Sequence, residues 1–403
     1  MDGPQRSRNP VEAFFSTVVQ ALTPQPRVQT GAVTVLGECH KANSASLAAH
    51  LKTICRFTYR RNMPPLEPYS YTSDAGWGCM IRCSQMLLCN ALRIQMFGKD
   101  WRVGAGLEDV SVLRENVEYV RLTSWFLDLP CYPHIFGLHM LSCAALRYNV
   151  LPGEWVGPHT ASFMLRDLAH LHRCKYKGPL EVHVASGGVV YMEEIDSAAS
   201  AESSGGTPTP SLRAARRVSD CFDPLLNPPP EATVSETLEG WSCSLLLLIP
   251  LRLGVKSIDP NCIDELVTAL NSKLCIGMLG GTPRHALYLV GSATVADDSK
   301  VLLGFDPHSV ENAFSSSTPF PSEDLVHSLH CGTVSYIDIT RLDPCVSLGF
   351  LFKSRGEYLS WCQERLGRPS LLFTVQRYSV QEASPREAEL PSSDDDDDDW
   401  VKI

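Results

Sequence analysis

The chain of 403 residues is 44% hydrophobic and 20% charged, which excludes disorder throughout and leaves ample material for a globular core. Its net charge is −10, but six of those negatives form the run 394–399, so the body is only mildly acidic and offers no electrostatic case for nucleic acid or a membrane surface. Fifteen cysteines, odd in number, irregularly spaced and without a C-x-x-C pair, argue against a disulfide framework or a structural zinc site and for thiols kept reduced in the cytoplasm.

The first residues, MDGPQRSRNPVEAFF, lack an apolar signal core, and 1–30 read as a flexible lead-in. VTVLGECH (33–40) reads as a strand, and SASLAAHLKTICRFTYRR (44–61) has helical apolar spacing. PPLEPYSYTSDAGWG (64–78) is rich in turn formers. From Cys79, CMIRCSQMLLCNALRIQMF is apolar nearly all round, the mark of a helix in the centre of a core. Further helices are expected over 117–128 and 159–173, the second carrying His170 and His172, with Cys174 directly after it. Positions two apart point to different sides of a helix, so the cluster reads as surface helix rather than metal ligands. EVHVAS and GVVYMEEI (181–195) suggest a hairpin through Gly187 and Gly188.

Residues 196–240 are dominated by Ser, Ala, Gly, Pro and Thr and read as a low-complexity insertion. Ser219 there follows two arginines, a pattern for basophilic kinases that chance also produces in such a segment. The longest apolar run, 245–250, is too short to span a bilayer. Strands are expected at 243–253, 285–293, 300–308 and 333–339, a helix at 356–366 and a last strand at 370–376. The tail from about 381 ends in DDDDDDWVKI. Helices first and antiparallel strands later give an α+β layout, with the main domain over 31–380.

Cys79 follows Gly76-Trp77-Gly78 and opens the long helix. Free amides and the helix dipole stabilise a thiolate there and lower its pKa. Glycines allow a sharp turn and close substrate approach, and amides in that turn can bind an oxyanion. Any single cysteine is otherwise a small buried hydrophobe; the context sets Cys79 apart from the other fourteen. The thiolate needs a proton partner, and Asp306-Pro307-His308 closes an apolar strand. Residues two apart in an extended segment face one side, so the carboxylate can fix the ring tautomer. Alone, D-P-H is a weak signal that more usually describes a turn-capping Asp beside a surface His; its pairing with the Cys79 segment is what gives it weight. Cys83, one helical turn from Cys79, is a possible redox partner.

YTSDAGWGCMIRCSQMLL (71–88), FDPHS (305–309), EWVGPHT (154–160), FTYRRNMPP (57–65) and LGGTPRHALYLVG (279–291) together resemble the autophagins, autophagy cysteine proteases that cut after the C-terminal glycine of ubiquitin-like modifiers. The resemblance runs from about 33 to 378. It implies a papain-like fold with a central nucleophile helix, an antiparallel sheet and a small family-specific lobe. It implies Cys79 as nucleophile with His308 and Asp306, Tyr59 beside the oxyanion site, and Trp155 over the substrate groove. Gly280, Gly281 and Pro283 match a loop that closes on that groove. Without the resemblance Tyr59 reads as core, Trp155 as a buried anchor and the glycines as an ordinary turn.

Trp400 and Ile403, behind the aspartates, fit an aromatic-x-x-aliphatic docking motif that can add to a sheet edge of the same modifiers. The partners implied are the modifiers, contacted transiently in lipidated form at membranes; the enzyme is expected to be a cytoplasmic monomer with no cofactor and no metal. Two activities are implied, trimming the precursor and releasing the modifier from phosphatidylethanolamine. One alternative is a weakly active or autoinhibited adaptor for the same modifiers. A transglutaminase-like acyl transferase shares the Cys/His/Asp apparatus but must favour an amine over water. A thiol phosphatase is disfavoured because Gln85 stands where C-x5-R requires arginine.

Overall fold

The computed structural model describes residues 31–103, 110–200, 240–295, 298–314 and 320–378. In chain order the elements are β1 (Ala32–Val35), β2 (Glu38–Lys41), α1 (Ala45–Thr53), β3 (Tyr59–Leu66), β4 (Tyr71–Ser73), α2 (Cys79–Phe97), α3 (Val110–Glu115), α4 (Val117–Ser124), α5 (Leu138–Ala145), α6 (Pro158–Tyr176), β5 (Leu180–Val184), β6 (Val189–Tyr191) and α7 (Met192–Ser200). There follow β7 (Ser244–Arg252), α8 (Ile263–Leu270), β8 (Cys275–Thr282), β9 (His285–Thr294), β10 (Lys300–Phe305), β11 (Val310–Asn312), α9 (Glu323–Leu329), β12 (Ser335–Asp338), β13 (Cys345–Phe352), α10 (Arg355–Gln363) and β14 (Thr374–Gln376).

The main sheet runs β12-β10-β9-β8-β13-β7-β5, with the β1–β2 hairpin attached beside the far half of β9. Every pairing in it is antiparallel except β5 with β7. Both faces are covered. Leu246 and Leu248 of β7 pack on the side of α2, α5 and α6, while Leu245, Leu247 and Ile249 pack on the side of α7, α8 and α10. A strand buried on both faces reads as a continuous apolar run, as SLLLLI does. Helix α2 is buried from Cys79 to Ile94 and packs on β8 and β9. A three-stranded sheet, β11-β3-β4, and the pair β14-β6 complete the architecture. The fold class is α+β, as the pattern of elements predicts.

Several local readings need correction. Residues 33–40 are two strands, because Leu36 and Gly37 take positive φ and turn the chain as a hairpin requires. Helix α1 is capped by Ser44, whose Oγ accepts from the Leu47 N–H at 3.2 Å. It ends at Thr53, so Tyr59 opens a strand instead of closing a helix. β5 and β6 do not form a hairpin: each pairs in parallel within a different sheet, and a single bridge, Ser186 with Val189, joins the segment. Residues to Ser200 are helical, with Asp196 held by Arg355 and by the indole N–H of Trp241 at 2.6 Å. The insertion therefore starts later than its composition suggests. Ser219, Trp400 and Ile403 lie outside the described residues. Among the described residues no helix is long and apolar enough to cross a membrane.

Candidate active site

The turn before α2 is built around a buried carboxylate. Asp74 accepts from the backbone N–H of Arg60 at 2.6 Å and from Arg82 Nε at 2.7 Å. Its carbonyl accepts from the N–H groups of Trp77 and Gly78. Gly76 supplies a φ of 88°. Gly78 leaves the room that Asp74 fills, since a Cβ there would lie 2.4 Å from Asp74 Oδ2. Arg82 also spans to Asp128, with contacts of 2.9 and 3.0 Å. No local pattern announces this Asp74–Arg82–Asp128 network, because Arg82 and Asp128 are 46 residues apart.

The Asp306 segment leaves β10 and is fastened to the start of β3. Arg56 Nε donates to the Asp306 carbonyl at 2.9 Å, and the Tyr59 N–H donates to the Pro307 carbonyl at 3.0 Å. Asp306 Oδ1 accepts from the His308 N–H at 2.9 Å and from His308 Nδ1 at 2.6 Å. This fixes the ring with Nε2 free of any other aligned partner. The Tyr59 ring meets that of His308 edge-on, centroids 5.4 Å apart at 86°. The indole N–H of Trp155 donates to Cys79 Sγ at 3.2 Å, while Trp155 itself is 41% exposed. Cys79, Tyr59, Trp155, Asp306 and His308 are thus brought together.

The electrostatics follow from the same neighbours. Burial raises the Cys79 thiol, but His308, then Trp155 and Tyr59, more than offset it and the net shift is downward. Burial opposes a charged His308, yet Asp306 and Cys79 together raise it to about 9. Burial opposes a charged Asp306 as well, but donors from His285 and His308 hold it well below the carboxylate range. A thiolate paired with an imidazolium is the state this arrangement favours, and such a pair can attack a carbonyl and protonate a leaving amine.

Three further placements differ from the sequence reading. Gly280 and Gly281 belong to β8 and are buried, so the loop at this point is only the turn Pro283-Arg284, with Arg284 at φ 66°. Cys83 lies one turn below Cys79, but it is fully buried and its thiol is pushed well up by that burial. That combination works against a role as resolving thiol. His285, the first residue of β9, joins the site although no motif in the sequence marks it as a partner of Asp306. Its Nε2 lies 3.1 Å from Asp306 Oδ2, and its ring stacks on His308 with centroids 3.6 Å apart.

Two groups among the described residues gather three ligand-type atoms. In Glu38, His40 and His50 the carboxylate already holds Arg102 at 2.6 Å. In His285, Asp306 and His308 the groups are hydrogen-bonded to one another. His172 is buried among Trp125 and Phe136, while Cys174 Sγ rests 3.5 Å from His170. All fourteen described cysteines are free thiols.

A cysteine at a helix start, an imidazole aligned by a carboxylate and an indole over the sulfur are the parts of a thiol peptidase. The Peptidase C54 catalytic domain matches residues 44–364, and the chain belongs to that family of cysteine peptidases, the autophagins. It is 30% identical over 340 residues to "Cysteine protease ATG4A" of Homo sapiens, covering 82% of this chain and 77% of that one. It is 32% identical over 314 residues to "Cysteine protease ATG4B" of Gallus gallus, covering 76% and 72%. With "Cysteine protease ATG4a" of Arabidopsis thaliana it shares 28% over 399 residues, 93% of this chain and 77% of that one.

Proposed function

We propose that this chain cleaves ubiquitin-like autophagy modifiers after their C-terminal glycine, with Cys79 as nucleophile, His308 as acid and base, and Asp306 as the group that orients it. The observation that carries the reading is the meeting of Cys79 with the Asp306–His308 pair under the Trp155 indole. The Cys79 thiolate attacks the glycyl carbonyl. Unpaired amides of the first turn of α2, with the Tyr59 hydroxyl, stabilise the oxyanion. His308 gives its proton to the departing amine, leaving an acyl-enzyme. Water then loses a proton to His308, attacks the thioester and releases the modifier with a glycine carboxylate as the thiol leaves. An amide to a peptide and an amide to phosphatidylethanolamine are the same bond to this apparatus, so one site serves precursor maturation and delipidation. Trp155 over the sulfur and the buried Gly280-Gly281 end of β8 suit a slim glycine-ended chain.

Within this reading α2 is the nucleophile helix of a papain-like fold, and the β11-β3-β4 sheet with α3 and α4 corresponds to the family-specific lobe. The domain extends over 31–380, the tail segment 400–403 docks the modifier and raises its local concentration, and the protein works in the cytoplasm as a monomer. The test is cleavage of a modifier carrying a C-terminal extension, read by product mass. The expected result is a cut after the glycine that vanishes in Cys79→Ala and slows when 400–403 are removed.

A second reading has its own observation. Cys79 is 2% exposed and its sulfur is capped by Trp155, so the resting enzyme is covered and must open to work. A weakly active, autoinhibited binder would bind the modifier under reducing conditions and leave its extension intact.

A further inference from the structure

We propose that His285 is a positioning residue for the His308 base: it holds the second oxygen of Asp306, lies flat against the imidazole, and so ties the base to the β8–β9 turn. The proposal rests on the roles given above to Cys79, His308 and Asp306, and adds a fourth residue to them.

The geometry divides the Asp306 carboxylate between two rings. Oδ1 takes His308 Nδ1 at 2.6 Å and Oδ2 takes His285 Nε2 at 3.1 Å. A carboxylate held at one oxygen can still rotate about its Cβ–Cγ bond. Held at both, its plane is fixed, and the direction of the His308 ring is fixed with it. The rings of His285 and His308 are 13° from parallel, so His285 also closes one face of the imidazole, while Tyr59 meets it edge-on. His308 is thereby bounded by Asp306 at one end and by rings on two sides, and only its Nε2 edge is left for chemistry.

The protonation state follows from satisfaction of polar atoms. His285 is 4% exposed and its Nδ1 is buried without a partner. Nε2 must carry a proton, because it faces a carboxylate. A second proton on Nδ1 would be a buried, unpaired donor on a cation stacked against the His308 imidazolium, and both features are costly. His285 is therefore neutral with the proton on Nε2, in accord with the downward shift that burial chiefly causes. The groups facing His308 are Asp306, His285, Cys79 and Tyr59; the nearby Arg56 is engaged with the Asp306 carbonyl, the Ser309 hydroxyl and Cys331 Sγ.

His285 also has a distinctive place in the chain. It pairs with Thr282 across the two-residue turn Pro283-Arg284. The carbonyl of His285 lies 2.1 Å from where a Cβ on Gly281 would stand, so only glycine allows the two strands this approach. A displacement of the turn by an incoming chain is passed to the Asp306 carboxylate through one side chain.

The experiment is the pH dependence of Cys79 alkylation by iodoacetamide, located by mass, in wild type, His285→Phe and His285→Gln. This readout needs no modifier. His285→Phe keeps an aromatic face and loses the donor; His285→Gln keeps a donor and loses the face. The expected result is that His285→Phe moves the thiolate midpoint upward by about one unit or more, cuts kcat on the modifier about tenfold or more with KM little changed, and that His285→Gln recovers most of both. A His285→Phe profile superimposable on wild type overturns the proposal, as does equal loss in the two variants. Should neither variant fold, ring nitrogen shifts of His285 in the wild-type protein decide it: a neutral ring protonated at Nε2 supports the assignment, and a doubly protonated ring overturns it. A wild type with a low thiolate midpoint that leaves the modifier uncut would sink the substrate reading instead and leave this one standing.

Discussion

Two carboxylate–cation networks flank Cys79 and are built from the same kinds of group. On one side Arg82 lies between Asp74 and Asp128, and all three are buried. On the other Asp306 lies between His308 and His285. In the first the cation is permanent: burial opposes the charge of Arg82, but two aspartates hold it higher than usual. No proton can leave at working pH, and the network serves to fix the turn that presents the thiol. In the second the cation is the His308 imidazolium beside a neutral His285, and His308 keeps its Nε2 free of any other aligned partner. The first network is scaffolding and the second can do chemistry. What separates them is the pKa range of the cation and one free edge, not burial or the number of ion pairs.

The largest effect expected from that contrast comes from Asp306→Asn, which should lower kcat by about 10²–10⁴-fold, because the amide no longer holds His308 in the correct tautomer. The pH profile sharpens the point. His308 is raised above its ordinary value, so its pairing stabilises the folded, active state fully below about pH 6.5 and the benefit is lost as pH rises through about 9. The alkaline limb of wild type should fall near that pH. In Asp306→Asn it should move down toward the ordinary imidazole range. An unmoved alkaline limb would show that Asp306 does not support the charge on His308.

Arg82→Met tests the other network. It leaves Asp74 and Asp128 buried without a cation, which costs about 3–5 kcal/mol and should appear in urea unfolding. Burial already pushes the Asp74 carboxyl up, with Arg82 opposing it, so without Arg82 the group should take up a proton. The midpoint of Cys79 alkylation in the protein that remains folded should shift far less than in Asp306→Asn. Equal shifts would mean that the two networks are one electrostatic unit.

How much of this could be read beforehand follows the same division. Helix α2 is legible because a helix at the centre of a core is apolar all round, and its first residue stands behind two glycines. Asp306 and His308 are two residues apart on an extended segment, so their pairing is local and visible. His285 pairs across 21 residues and Arg82 with Asp128 across 46, and no periodicity records such distances. Strands β8 and β13 escape notice for a related reason. Each carries a glycine, Gly277 and Gly349, and the two face each other in the ladder. Gly277 is required, because at a φ of 110° a Cβ there would stand 2.6 Å from Tyr288 Cε2 and 2.7 Å from the Leu289 carbonyl, yet in sequence a glycine within a short apolar run reads as a break.

Trp155→Phe should have the smallest effect and isolates a donor that belongs to neither network. The indole N–H donates to Cys79 Sγ at 3.2 Å, favouring the thiolate, while the ring keeps the sulfur covered. Phenylalanine retains most of the cover and no donor. A hydrogen bond to the charged form is worth about 1.5–3 kcal/mol when buried, but Trp155 is 41% exposed and water can replace its donor, so a loss of about threefold to tenfold in alkylation rate near neutral pH is expected. The alkaline limb set by His308 should stay nearly in place, since Trp155 acts on the thiol and leaves Asp306, the first of the groups that raise His308, untouched. A faster rate in Trp155→Phe would instead mean that cover outweighs the hydrogen bond, and that the indole holds the resting site closed more than it activates the thiol.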